Sequence, residues 1–219
     1  MVDAVLVLSG GMDSAVLLAQ TLNQGKTVEA VSFDYGSKHN ARELPMARDL
    51  CAHFNIPHQV ILLPFINALF SSSLLAGGET VPDGAYTAAT MKSTVVPFRN
   101  GIMLAIAAGY AESINASQVL LGSHSGDHHI YPDCRPGFNS AFRDAVYIGT
   151  DKKVMVCFPF SGMDKRDIGD LGRKLDLDFT KTWTCYKGLA LHCGTCGACN
   201  ERKYALRHEE GLDATTYLA

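Results

Sequence analysis

The sequence predicts an α/β fold: a parallel sheet with helices on both faces, followed by a small cysteine-rich C-terminal segment. Three observations predict it. The chain opens on a nearly continuous apolar run that ends in a glycine turn, the pattern of a strand buried on both faces. Further β-rich runs then alternate with helical stretches, as strands joined by crossover helices do. Four of the seven cysteines crowd into residues 185–199, where that alternation has stopped.

Each element follows in order. Residues 2–8 form the first strand, interrupted only by Asp3. Residues 9–14 make a turn, and residues 15–22 continue as an apolar helix ending near Gly25. Residues 28–33 read as the second strand. Leu44, Ala47, Leu50, Cys51 and Phe54 repeat at helical spacing across residues 41–54. Residues 58–62, after Pro57, form the third strand. The stretch 64–100 carries less pattern; Ser, Gly, Thr and Pro in residues 71–89 predict a mobile loop lying over another part of the molecule. An apolar helix over 101–113 leads to a fourth strand at 119–121 that stops at Gly122. Residues 123–137 read as a long functional loop, 138–146 as helix and 154–158 as the fifth strand. A helix over 164–175 takes Asp164 as its N-cap. A short charged helix over 200–208 follows the cysteines.

At 219 residues the chain suits one sizeable domain with an appendage, divided here into 1–180 and 181–219. A chain of this size buries a full core without disulfides. The hydrophobic share of 47% and charged share of 19% exclude a disordered chain. A net charge of −3 offers no electrostatic argument for a nucleic-acid partner, so a small-molecule substrate is expected. No stretch reaches the roughly 18 apolar residues of a membrane span. The opening run also lacks the basic flank of a signal peptide. The expected compartment is the cytoplasm, with no membrane partner. There, clustered cysteines read as a metal site before they read as disulfides.

The strongest chemical signal is Leu8-Ser9-Gly10-Gly11-Met12-Asp13-Ser14. A strand delivers this turn to the carboxyl edge of the sheet, where α/β proteins bind ligands. Gly10 and Gly11 let a ligand approach the main chain closely. The turn amides and the following helix N-terminus form an anion cradle, to which Ser9 and Ser14 add hydroxyls. Asp13 would repel phosphates unless a cation such as Mg²⁺ intervened. A plain capping turn, with Ser9 or Asp13 satisfying helix amides, accounts for the same residues. A Walker A loop is excluded, because no lysine lies in the turn.

Cys193, Cys196 and Cys199 stand at C-x2-C-x2-C, with Cys185 eight residues upstream. Glycines after Cys193 and Cys196 allow tight turns that aim the sulfurs at one point. Four thiolates suit a closed, structural Zn²⁺ site. An iron–sulfur cluster shares the first spacing, but the following Asn200-Glu201-Arg202 breaks the bacterial ferredoxin run. A metal site with His192 in place of Cys185, and a redox-active C-x2-C pair, are also compatible with the spacing.

Ser-Gly-Gly-Met-Asp-Ser after the first strand resembles the signature of the PP-loop ATP pyrophosphatases. Cys185-Tyr-Lys-Gly188, His192 to Cys199, Tyr131-Pro-Asp-Cys-Arg-Pro136 and Val96-Pro-Phe-Arg-Asn100 are similar, in order, to stretches of the 7-cyano-7-deazaguanine synthase family. The resemblance spans nearly the whole chain. It implies a Rossmann-like, adenine nucleotide alpha hydrolase-like fold and a homodimer. It also implies a carbon–nitrogen ligase that makes 7-cyano-7-deazaguanine from 7-carboxy-7-deazaguanine, ammonia and ATP. One departure is Phe98, where the family commonly has Gly or Ala; a bulky ring there is expected to alter the nucleotide pocket beside Arg99.

That chemistry activates a carboxylate by transfer of AMP, and the resemblance implies an amide intermediate that is adenylated in turn. Leu8, Ser9, Gly10, Gly11, Met12, Asp13, Ser14 and Arg99 are the expected ATP contacts. Ser9, Asp13 and Ser14 are expected to share the catalytic work with Lys165, a basic residue near the start of a late helix that would neutralise the departing phosphates; a solvated surface lysine explains the same residue. Asp133 is expected to accept hydrogen bonds from the guanine-like edge, Arg135 to pair with the substrate carboxylate and Tyr131 to stack on the base. A rigid loop in which Asp133 and Arg135 pair with each other explains the same residues. His124, His128 and His129 are the histidines from which a general base could be drawn. Cys51 and Cys157 lie on apolar faces and read as inert.

Overall fold

The computed structural model describes residues 2–84, 88–207 and 213–219. Its centre is a five-stranded parallel sheet of β1 (Ala4–Val7), β2 (Val28–Asp34), β3 (His58–Leu62), β4 (Gln118–Leu120) and β5 (Met155–Cys157). The strand order is β3-β2-β1-β4-β5. The most apolar strand takes the middle: all four β1 residues are buried. Ala4 sits opposite Val28 on one side and Gln118 on the other.

Side chains of a strand alternate between faces, and here they divide the core in two. Ala4, Leu6 and Leu8 belong to one cluster, Val5 and Val7 to the other. The first is completed by α1 (Met12–Asn23) and α2 (Asn40–Phe54), with Ile168 from α7 (Lys165–Lys174) and Leu206 from α8 (Gly197–Leu206). The second is completed by α5 (Arg99–Ser113), through Met103, Leu104 and Ala107, and by α6 (Pro136–Gly149), through Phe138 and Phe142. Two short helices, α3 (Pro64–Leu69) and α4 (Ala88–Thr94), fill the stretch before α5.

All five expected strands form. The helix after the turn starts at Met12, so Asp13 and Ser14 are first-turn helical residues rather than loop residues. Asp164 caps α7 as expected, its carboxylate accepting from the Arg166 and Asp167 amides while Asp167 reaches back to the Asp164 amide. The expected end of the last helix at residue 208 lies outside the described residues.

The stretch 71–89 differs from the mobile loop its composition suggests. Leu74, Leu75 and Val81 are buried in the second core. Lys38 Nζ donates to the carbonyls of Ser73 and Gly78 at 2.9 and 3.0 Å, pinning the segment beside α2. Residues 85–87 are outside the described residues. The cysteine segment likewise shares its burial with the sheet. Trp183, Cys185, Cys193, Cys196 and Cys199 belong to the same cluster as Val5 and Val7.

The first three strands step outward in one direction, and the chain then crosses to lay β4 against the other side of β1. Reversal of strand order opens a crevice at the carboxyl ends of β1 and β4, the usual ligand position in such sheets.

Candidate active site

That crevice is a cavity lined by the glycine turn, the ends of β2 and β4, the starts of α2 and α5, and the cysteine segment. Gly10 holds φ at +90°, and a Cβ on it would stand 2.2 Å from the Glu43 carbonyl oxygen. Only glycine lets the turn lie this close to α2. Ser9 Oγ accepts from the Gly11 amide at 3.0 Å and meets Ser14 Oγ at 3.1 Å, and Ser14 Oγ accepts from the Ser9 amide at 3.2 Å. The two serines therefore brace the loop. Among the described residues no side chain caps α1, which leaves the first-turn amides of Met12, Asp13 and Ser14 to a ligand.

Asp13 Oδ2 receives Lys165 Nζ at 2.6 Å, across 152 positions of sequence. Burial raises the Asp13 carboxyl, but the Lys165 ammonium paired to it outweighs burial and holds the group below the usual carboxylate range. Burial likewise works against the Lys165 charge, and Asp13, Glu201 and Asp127 overcome it, so the ammonium stays protonated. Asp13 Oδ1 is buried with no hydrogen-bond partner among the described residues. An orphaned carboxylate oxygen in a cavity suits a hard cation such as Mg²⁺, as one ligand beside the phosphate oxygens of a nucleotide.

Farther along the cavity, Arg99 lies between the rings of Tyr35 and Tyr131, each 5.8 Å from its guanidinium. Burial opposes its charge, but Tyr35, Tyr131, Tyr186 and Asp133 keep it firmly cationic. Phe98 does not alter this pocket as expected. Its φ of +51° turns the ring over Gly101 and edge-on against Phe138, and Phe98 is 56% exposed rather than lining the cavity.

The structure brings together Leu8, Ser9, Gly11, Met12, Asp13, Ser14, Arg99, Tyr131 and Lys165. It places Asp133 and Arg135 elsewhere. Asp133 Oδ2 accepts from the Asn100 amide at 2.8 Å and caps α5, so its contribution is to hold the helix that presents Arg99. Arg135 is exposed, with Nε donating to the His128 carbonyl at 3.1 Å. The two do not pair with each other. His124 is buried beside Lys165, 3.2 Å from its Nζ, and burial together with that ammonium keeps the ring neutral. His128 and His129 are not among the cavity-lining residues.

Sequence reading missed Tyr35, His39, Glu43, Ser123, Tyr186 and Glu201, all of which line the cavity. One signal pointed to the first three: they follow the second strand, whose carboxyl end neighbours the first. Tyr186 stands in the Cys185-Tyr-Lys-Gly188 stretch, which was read only for its cysteine, and nothing local marks Glu201; both arrive with the cysteine segment.

The sulfurs of Cys185, Cys193, Cys196 and Cys199 lie within 4.8 Å of one another, all buried. Cys193 and Cys199 are 3.8 Å apart, close to the roughly 3.8 Å edge of a tetrahedron with 2.3 Å zinc–sulfur bonds. Amides of Cys193, Thr195 and Cys196 donate to sulfurs. Thiol hydrogen bonds from Cys196 and Cys199 pull the Cys185 thiol down against burial. The donor set fits a zinc-type ion. His192 is not a fourth ligand in place of Cys185, because its Nε2 accepts from the Thr184 amide and its ring stacks on Trp183 at 4.2 Å.

A braced Ser-Gly-Gly-Met-Asp-Ser loop at the switch point of a parallel sheet defines a PP-loop α/β protein. The fold recurs in NMN synthetase from Francisella tularensis, with a TM-score of 0.52 and 18% identity over 86% of this chain and 68% of that one. It recurs in the U34-tRNA thiolase NcsA from Methanococcus maripaludis, with a TM-score of 0.54 and 13% identity over 99% and 74%. The family described as queuosine biosynthesis protein QueC matches residues 3–210. The 7-cyano-7-deazaguanine synthase of Desulfotalea psychrophila is 75% identical over 218 residues, all of both chains. That of Porphyromonas gingivalis is 48% identical over 98% of this chain and 97% of its own. The chain belongs to the QueC family and is an enzyme of the ligase class.

Proposed function

We propose that this ligase converts 7-carboxy-7-deazaguanine and ammonia to 7-cyano-7-deazaguanine at the expense of ATP, through an adenylated carboxylate and an amide. One observation carries the reading: a single cavity joins an uncapped phosphate loop and its Lys165 to an arginine held between tyrosines.

A carboxylate resists ammonia because oxide leaves badly. Transfer of AMP to its oxygen makes a mixed anhydride, and pyrophosphate departs. The amides of the glycine loop and the start of α1 hold the β- and γ-phosphates. Ser9 and Ser14 keep the loop in shape, and Lys165 neutralises the leaving pyrophosphate. Asp13, through its unpartnered Oδ1, would hold Mg²⁺, which when bound offsets the phosphate charge. Arg99 takes the substrate carboxylate in place of Arg135, whose guanidinium is bonded outside the cavity. Tyr131 and Tyr186 offer faces for the heterocycle. Zn²⁺ fits the cysteine site in a structural role.

The net charge of −3 favours free small molecules over nucleic acid, the apolar opening run without a basic flank favours the cytoplasm, and the family resemblance implies a homodimer. Incubation with ATP, ammonium and 7-carboxy-7-deazaguanine should release AMP and pyrophosphate and yield the nitrile by mass spectrometry. ATP turnover that ignores the deazaguanine, or tight RNA binding without AMP release, would overturn the reading.

A further inference from the structure

Nitrogen insertion needs a proton acceptor that the loop and Arg99 do not supply. Attack of ammonia on the acyl adenylate forms a carbon–nitrogen bond, expels AMP and sheds one proton. Collapse of the adenylated, protonated amide breaks the carbon–oxygen bond, expels a second AMP and sheds two protons from nitrogen. We propose that Glu43, on the first turn of α2, is the catalytic residue that accepts these protons, an assignment that rests on the ligase reading.

The carboxyl stands between the two halves of the site. Its Oε1 lies 3.9 Å from where a Cβ on Gly11 would be, so it borders the phosphate loop. Arg99 acts on it from α5. At the N-cap of its helix, His39 places Nε2 3.7 Å from Oε2. That ring is held neutral, chiefly by burial and then by Arg99, and is no salt-bridge partner. Tyr35, at the end of β2, faces the same space, and its hydroxyl bonds His39 at 3.3 Å. Among the described residues, Glu43 therefore sits in the cavity with no cation paired to it.

Other candidates are committed elsewhere. Asp13 is paired with Lys165, and Asp127 accepts from the His124 amide. Burial raises Glu201 to about 7, but the cation that acts on it is Lys165, on the phosphate side, whereas the cation that acts on Glu43 is Arg99. His124 lies against that same lysine. Burial pushes the Cys134 thiol and the Tyr131 hydroxyl upward, away from use as bases. Burial also carries Glu43 up to about 8, with Arg99 pulling the other way. A neutral carboxyl does not repel incoming phosphates, and one that ionises near the working pH suits proton transfer.

The test separates adenylation from nitrogen insertion. Substrate-dependent ATP–pyrophosphate exchange reads the first, and amide and nitrile by mass spectrometry read the second. In Glu43→Gln, exchange should fall no more than about threefold, while amide formation falls on the order of 10²–10³-fold. Hydroxylamine, whose conjugate acid loses its proton to water readily, should give hydroxamate at near-parental rate. At fixed free ammonia, the parent's amide formation should rise through pH 8, and the variant's should not. Glu43→Asp should regain part of the loss.

A folded carboxyl held at about 8, above its ordinary 4.5, costs stability as pH rises between those values. Glu43→Gln should therefore melt higher than the parent at pH 7–8. Unchanged amidation, equal loss of exchange and amidation, or a lower melting temperature would each overturn the assignment. Absence of exchange in the parent would overturn the ligase reading and this inference together.

Discussion

Gly10 is the residue on which the glycine turn most directly depends. A methyl group there meets α2 backbone at 2.2 Å while the residue holds φ at +90°. Gly10→Ala is expected to lower unfolding free energy by about 3 kcal/mol, read by chemical denaturation. Asp13 makes a different case, because its carboxylate is both ion-paired and half free. The folded pKa is depressed, so the Lys165 pair contributes stability above the ordinary value of 3.8 and loses it as pH falls through the folded value. Asp13→Asn should flatten that acid limb in melts and lower metal-dependent pyrophosphate exchange by about 10²-fold or more. Phe98→Ala should leave the KM for ATP within about twofold, because the ring packs on Phe138 and not in the cavity.

At the level of elements, the start of α5 shows how a residue acts on a site it does not line. The Asp133 carboxylate supplies the cap that neither Phe98 nor Arg99 provides. Asp133→Ala should cost about 1–2 kcal/mol and blunt turnover through a displaced Arg99. Asp133→Asn, which keeps an acceptor oxygen, should recover most of the stability in the same melts. A direct contact with the guanine edge predicts instead that Asn fails as badly as Ala in KM for the deazaguanine. The α1 start illustrates the opposite logic: a helix left uncapped at a sheet edge keeps its amides for an anion.

In the molecule as a whole, the cysteine segment is built into the site rather than hung from it. The Trp183 amide donates to the Gly10 carbonyl at 2.9 Å, and Thr184, Tyr186 and Glu201 line the cavity. Arg202 is fully buried and donates to the Phe179 carbonyl and the hydroxyls of Thr182, Thr184 and Thr215. Stripping metal from the thiolates should therefore lower the melting temperature and weaken nucleotide binding together, measured by calorimetry before and after chelation. Loss of metal with nucleotide affinity intact would separate the two. Among the described residues, no helix is long and apolar enough to cross a membrane.

Sequence alone determined the parallel α/β architecture, the glycine turn at the end of the first strand and the four-cysteine set, because each is local. An apolar run reads as a buried strand, consecutive residues make a loop, and close spacing gathers thiols. Even the distant Lys165 was legible as a basic residue opening a late helix, although its Asp13 partner was not. Only the tertiary structure decided which polar residues face the cavity. Asp133 and Arg135 carried suitable chemistry in a loop that follows a strand, yet one was drawn to an orphan helix amide and the other to a carbonyl. Glu43 and Glu201 looked like ordinary helix-surface carboxyls until strand order laid β1 between β2 and β4 and brought their helices to the crevice. The physical reason is that side-chain type is written residue by residue. Burial, pairing and charge state arise from contacts between segments far apart in the chain.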